Sequence, residues 1–156
     1  MLELEIPGFG PVRLTHLVSD FTGTLSVDGN LLPGVGERLN RLAALVTIHI
    51  LTADTFGKAR EALQEINCRI EILTGEAHDV QKEMFVRDLD PEQVVAFGNG
   101  NNDRRMLKLA KLGVAVSEAE GCAVEALINA DIHVNRAIDG LDLLLLPKRC
   151  KATLRY

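Results

Sequence analysis

The chain has 156 residues, 47% hydrophobic and 25% charged, with a formal net charge of −5 at pH 7. That length and balance suit one domain, residues 1–156, with a core that needs neither disulfides nor structural metal. The acidic surplus and the lack of Trp argue against a nucleic-acid binder, and no apolar run is long enough to cross a membrane. No signal design opens the chain, so the expectation is a cytoplasmic protein without a membrane partner. Cys68, Cys122 and Cys150 are odd in number and widely spaced, as expected of reduced thiols.

Leu2 to Ile6 alternates apolar and charged residues and reads as a half-exposed strand. Pro7 to Pro11 turns it, and Val12 to Val18 returns into an apolar run ending at Asp20. Phe21-Thr22-Gly23-Thr24 is too polar and too dependent on Gly23 to extend that strand. Asp28-Gly29-Asn30 is a tight-turn signal, which predicts a small β-flap over Thr24 to Leu32. Val35, Leu39, Leu42 and Leu45 share one face of a helix. Val46 to Leu51 is a buried strand ending at Thr52. A helix over Thr55 to Ile66, a strand over Cys68 to Leu73 and a helix over Ala77 to Leu89 follow, the last carrying Lys82. Val94 to Phe97 is a strand ending in Gly98-Asn99-Gly100-Asn101-Asn102-Asp103. Beyond it come a helix (104–112), a strand (114–116), a helix (122–129), a strand (132–134) and a helix (138–146). The basic stretch Lys148 to Lys151 reads as a solvated end.

Strands alternate with helices along the whole chain. This predicts a three-layer, doubly wound α/β fold with a mostly parallel sheet and the β-hairpin flap. In such a sheet the carboxyl ends of the strands converge on one crevice. Asp20, Thr52, Lys82, Asn99 and Asp103 then meet there. A carboxylate that attacks phosphorus must stay ionised beside an anionic phosphoryl group, and a divalent cation and a lysine both help it do so. Mg2+ takes hard oxygens and keeps several waters, so a few carboxylate and amide oxygens suffice. Thr52 offers a hydroxyl to a phosphoryl oxygen, and the N–H groups of Thr22-Gly23-Thr24 are candidates for an anion nest. Lys58 is a rival to Lys82. His16, His49 and His133 lie in strand patterns without metal-ligand spacing and read as structural.

These motifs together resemble the haloacid dehalogenase superfamily of phosphatases and phosphotransferases. D-F-T-G-T-L at Asp20–Leu25 is similar to its first motif. I-L-T-A-D at Ile50–Asp54 is similar to the second, the segment around Lys82 to the third, and G-N-G-N-N-D at Gly98–Asp103 to the G-D-G-x-N-D motif. Thr22 in place of a second Asp resembles the P-type ATPases, as do Ala110–Val116 and Ala130–Val134 downstream. The segments between motifs leave no room for a cap domain. The resemblance implies an Mg2+-dependent phosphatase working through an aspartyl phosphate on Asp20. Its catalytic residues would be Asp20, Thr22, Thr52 and Lys82. Gly23, Thr24, Thr52, Ala53 and Lys82 would contact the phosphoryl group, and Asp20, Thr22, Asn99 and Asp103 would serve the metal. Thr22 cannot act as the acid and base that a second Asp supplies, so breakdown of the aspartyl phosphate should be slow. Asn99 removes one negative charge, so metal binding should be weak, with Asp103 taking a larger share. A phosphorylated small molecule or phosphoprotein is the expected substrate, and a homo-oligomer could complete the open site. The alternative is a regulatory module whose weakened site senses phosphate, metal or a partner.

Overall fold

The structure is a computed structural model and describes residues Met1–Tyr156. Six parallel strands form the central sheet: β3 (His16–Asp20), β6 (Thr47–Thr52), β7 (Arg69–Ile72), β8 (Val94–Gly98), β9 (Leu112–Val116) and β10 (Ile132–Val134). Their spatial order is β10-β9-β8-β3-β6-β7. The chain runs outward from β3 through β6 to β7, then crosses back to β8 on the other side of β3. The strand order therefore reverses at β3, which places Asp20 at the switch point where such sheets open a crevice. Leu17 and Val18 on β3, and Val95, Ala96 and Phe97 on β8, are all at 0% exposure, as expected of strands covered on both faces.

Two antiparallel pairs stand outside this sheet. β1 (Leu2–Ile6) and β2 (Gly10–Leu14) form the expected hairpin, with Leu2 opposite Leu14. β4 (Ser26–Val27) and β5 (Asn30–Leu31) form the flap. The segment from β3 to β6 holds only the flap and α1 (Val35–Ala43), and that from β6 to β8 holds α2 (Ala59–Ala62), β7 and α3 (His78–Asp88), so no cap domain is inserted in either place.

Helices cover both faces. α1, α6 (Ala137–Leu145), α7 (Pro147–Leu154) and the β1–β2 hairpin close the larger core around Leu14, Leu17, Leu39, Ile48, Phe97 and Leu141. Arg38 on α1 grips Asp142 on α6 with two hydrogen bonds, 2.8 and 3.2 Å, which fixes the two helices side by side. α3, α4 (Arg104–Leu109) and α5 (Val124–Ile128) cover the smaller core around Val18, Leu51, Val86, Val94 and Met106. No helix is long and apolar enough to cross a membrane. All three cysteines are free thiols.

Two elements depart from the sequence expectation. The helix expected over 55–66 is the four-residue α2. Asp54 and Gly57 adopt positive φ (52° and 67°) in the loop before it, which delays its start. Beyond it, the Asn40 side chain bonds Glu65 O and Asn67 N–H, holding that stretch against α1 instead of in a helix. The basic end is solvated as expected at Lys148, Arg149 and Lys151, but it is also a helix, α7. Its cations point outward while Cys150 is fully buried, and burial pushes that thiol up to about 11.

Candidate active site

Asp20 is carried to the carboxyl end of β3, where it is 7% exposed. Each of its oxygens has a partner. Lys82 donates to Oδ1 at 2.9 Å, and the Thr24 hydroxyl donates to Oδ2 at 3.1 Å. Burial, then the Asp103 charge, raise the Asp20 carboxyl against the lowering influence of Lys82 and Thr24, for a net value of about 6. Lys82 is 1% exposed, and burial alone would lower it. The carboxylates of Asp20 and Asp103 outweigh burial and hold it above its ordinary value. Both members of the Lys82–Asp20 pair are therefore shifted upward, Asp20 by burial first and then by Asp103, and Lys82 by two carboxylates that outweigh its burial. Lys82 gains from both, whereas Asp20 also meets the charge of Asp103. The rival Lys58 is exposed and lies at the flap, so Lys82 is the lysine at this site.

Thr52, at the end of β6, is 1% exposed. Its oxygen accepts the Asp54 N–H at 2.9 Å, which leaves the hydroxyl hydrogen free for a ligand. Asn99 follows β8. Its Nδ2 donates to Gly121 O at 3.1 Å, and its Oδ1 accepts from Thr24 at 3.1 Å. Thr24 thus draws an Asp20 oxygen and the Asn99 oxygen toward one point. Gly23 makes room for this: φ is 81°, and a Cβ there would come within 2.5 Å of Asn99 Nδ2.

Asp103 has a different setting from the one expected of a metal ligand. One oxygen accepts the N–H groups of Asn99 (3.0 Å) and Gly100 (2.9 Å), and the other accepts from Lys82 at 2.7 Å. It is fully buried over Gly98, where any side chain would collide with its Cγ at 2.5 Å. These contacts give Asp103 the work of shaping the loop and anchoring Lys82. Asn102 adds a third acceptor to Lys82 at 3.3 Å.

The backbone donors also differ from expectation. Gly23 N–H bonds Ser26 O and Thr24 N–H bonds Phe21 O, so both are used inside the turn. The N–H groups of Phe21, Thr22 and Ala53, by contrast, have no partner in the protein. These three follow directly on Asp20 and Thr52. Their positions just past strand ends were the available signal, since a strand's ladder stops there. The Thr22 carbonyl also accepts no hydrogen bond. His16 Nδ1, at the opposite end of β3 from Asp20, lies 3.1 Å from His49 Nε2, and His133 Nε2 lies 2.7 Å from Ser117 Oγ, so all three histidines are engaged within the fold.

The sequence profile of the haloacid dehalogenase-like hydrolases matches residues 77–134. An uncharacterized protein of Methanocaldococcus jannaschii is 45% identical over 64 residues, covering 41% of this chain and 69% of that protein. A probable copper-transporting ATPase of Arabidopsis thaliana is 31% identical over 135 residues, covering 83% of this chain. The chain spans only 13% of that ATPase's length. Among solved structures, the 3-deoxy-D-manno-octulosonate 8-phosphate phosphatase of Moraxella catarrhalis, in complex with magnesium and phosphate ions and a KDO molecule, superposes with a TM-score of 0.69. It covers 85% of this chain and 86% of its own at 16% identity, a likeness of fold. Residues 77–134 thus match the haloacid dehalogenase-like hydrolases, and the chain is similar over most of its length to one part of a probable copper-transporting ATPase.

Proposed function

We propose that this protein is a phosphatase-like hydrolase that forms an aspartyl phosphate on Asp20 and releases it slowly. One observation carries the reading. The Asp20 carboxylate, clamped by Lys82 and Thr24, stands at the switch point beside the unpartnered N–H groups of Phe21, Thr22 and Ala53 and the free hydroxyl hydrogen of Thr52. Fixed donors of this kind suit the equatorial oxygens of a transferring phosphoryl group. An Asp20 oxygen attacks phosphorus, the bond to the leaving-group oxygen breaks, and the leaving group takes its proton from solvent. Water then attacks the phosphorus of the aspartyl phosphate, releasing phosphate and restoring the carboxylate. Thr22 cannot take up a proton from that water at neutral pH, so this second step is the slow one.

The site fits a divalent cation. The donors are hard oxygens only: Asp20, the Asn99 amide oxygen that Thr24 ties to it, and the free Thr22 carbonyl. No group of three or more His, Cys, Asp or Glu side chains forms a softer or more acidic alternative. Two carboxylates against one ammonium leave one net negative charge, enough for weak Mg2+ binding. When bound, the cation would neutralise charge on the phosphoryl group. The expected substrate is a phosphorylated small molecule or phosphoprotein, reached through a mouth that no cap covers.

The test is Asp20→Asn, which keeps the shape and the Thr24 contact. With Mg2+ and an activated aryl phosphate, the wild type should show a burst of phenol product followed by slow turnover, and the variant neither. Hydrolysis that persists in Asp20→Asn would overturn the reading. The second reading, a phosphate or metal sensor without useful turnover, draws on the internal bonding of Asn99 to Gly121. It predicts a beryllium fluoride complex with Mg2+ but no Asp20-dependent release.

A further inference from the structure

The flap is clasped from two sides. Its turn, Asp28-Gly29, has both residues at positive φ (52° and 78°). On one side Glu120 Oε2 accepts the Asp28 N–H at 3.1 Å. Glu120 belongs to the loop whose Gly121 carbonyl and Ala123 N–H bond Asn99. On the other side Phe56 and Lys58 lie against Gly29, where a Cβ would sit 2.8 Å from Phe56 Cβ and 3.1 Å from Lys58 Cδ. Both belong to the loop that follows Thr52. The flap, loop 53–58 and loop 117–123 therefore form one connected wall. Its three parts are rooted at Thr24, Thr52 and Asn99, the residues around the phosphoryl position.

The side chains of that wall differ in how far they are satisfied. Asp54, Glu118 and Glu120 each accept backbone N–H groups. Arg104 and Arg136, cations beyond neighbouring strand ends, are paired with Asp79 and Asp139. Lys58 is not paired. Its ammonium makes two long contacts, 3.4 Å each, to neutral oxygens of Asp28 and Asn30, and it has no ion pair even with the Asp28 carboxylate of the same turn. Its stem is held over Gly29 beside Phe56, which is 45% exposed despite being one of the chain's five phenylalanines. An anchored, uncompensated cation beside a half-open aromatic face is a recognition surface for a group that is both anionic and apolar.

We infer that Phe56 and Lys58 form the leaving-group subsite and set its specificity. The subsite suits a phosphoester whose leaving group carries an apolar or planar portion and a second anionic group. This inference rests on the phosphoryl chemistry of Asp20 proposed above. The test compares phenyl phosphate with 4-(2-carboxyethyl)phenyl phosphate, whose leaving groups are similarly acidic, as substrates of the whole protein with Mg2+. The wild type should favour the carboxylated ester about fivefold in kcat/KM, mainly through KM, and added salt should weaken the preference. Lys58→Ala should remove the preference, Lys58→Arg should keep it and Lys58→Glu should invert it. Phe56→Ala should raise KM for both esters. Circular dichroism and melting confirm that each variant is folded. A wild-type preference that is absent, or that survives in Lys58→Ala, overturns the subsite while leaving Asp20 chemistry standing. If neither ester is hydrolysed in an Asp20-dependent way, the underlying reading falls and the subsite with it.

Discussion

Lys82 lies nearer to Asp103, at 2.7 Å, than to Asp20, at 2.9 Å, and Asp103 is the partner wholly removed from water. The lysine is therefore a structural cation as well as the partner of the proposed nucleophile. Lys82→Met leaves two buried carboxylates without their counter-charge, and it should lower stability by about 3–5 kcal/mol. Urea unfolding at constant m-value measures this. The double variant Lys82→Met/Asp103→Asn should be less destabilised than Lys82→Met alone, because one orphaned charge is removed with its partner.

In the proposed reaction Thr22 sets the lifetime of the phosphorylated Asp20. Thr22→Asp places a titratable oxygen two residues past the nucleophile. It should speed phosphoenzyme decay about 10²-fold or more, the scale of general acid–base catalysis. Single-turnover decay of labelled protein reads this directly. An unchanged decay rate would show that proton removal from water does not limit the step.

Asn99 holds the loop with the same amide that would serve the proposed metal. Asn99→Asp adds a negative charge, so the Mg2+ concentration for half-maximal activity should fall several-fold. The same change removes the donor to Gly121 O and turns a carboxylate oxygen toward that carbonyl. Without metal, the variant should therefore melt below the wild type, and Mg2+ should raise its melting temperature more. Chelation with EDTA should abolish turnover in both.

His49 gives the fold an acid limit unrelated to the active site. It is 3% exposed, its Nδ1 has no hydrogen-bond partner, and it meets His16 at 3.1 Å. Burial, then the charges of His16 and Arg69, lower it from 6.5 to about 4. Between those values the unfolded chain takes up a proton that the folded chain refuses. Stability from this group is intact above about pH 6.5 and is lost as pH falls toward 4, by up to about 3 kcal/mol. His49→Gln should flatten that part of the stability profile, as followed by urea unfolding at pH 7 and pH 4.5.

The strands were legible because buried parallel strands write themselves as β-branched runs, as in Val46 to Leu51. The placement of Asp20 and Thr52 was legible because each closes such a run. Contacts that depend on three dimensions were not. Nothing in the spacing says that Asp103 turns inward to the Asn99 and Gly100 N–H groups, or that Gly23 and Thr24 bond within their own turn. The short α2 was hidden because periodicity cannot see the positive φ of Asp54. The helix α7 was missed for its charges, yet Pro147 at its first turn and the spacing of Leu146, Cys150 and Leu154 were the signal for it.

The pairing of β3 has a consequence for how the molecule comes together. His16 sits beside Thr47 on one side and beside Val94 on the other, 31 and 78 residues further along the chain. Closing the longer of these loops is slow, and the strand bearing Asp20 remains a sheet edge until β8 arrives. Lys82 and Asp103 belong to the same late portion. On the ribosome or during refolding, Asp20 should therefore spend its early life without Lys82 on an open strand, and the proposed reactivity toward phosphate esters should emerge only in the last kinetic phase.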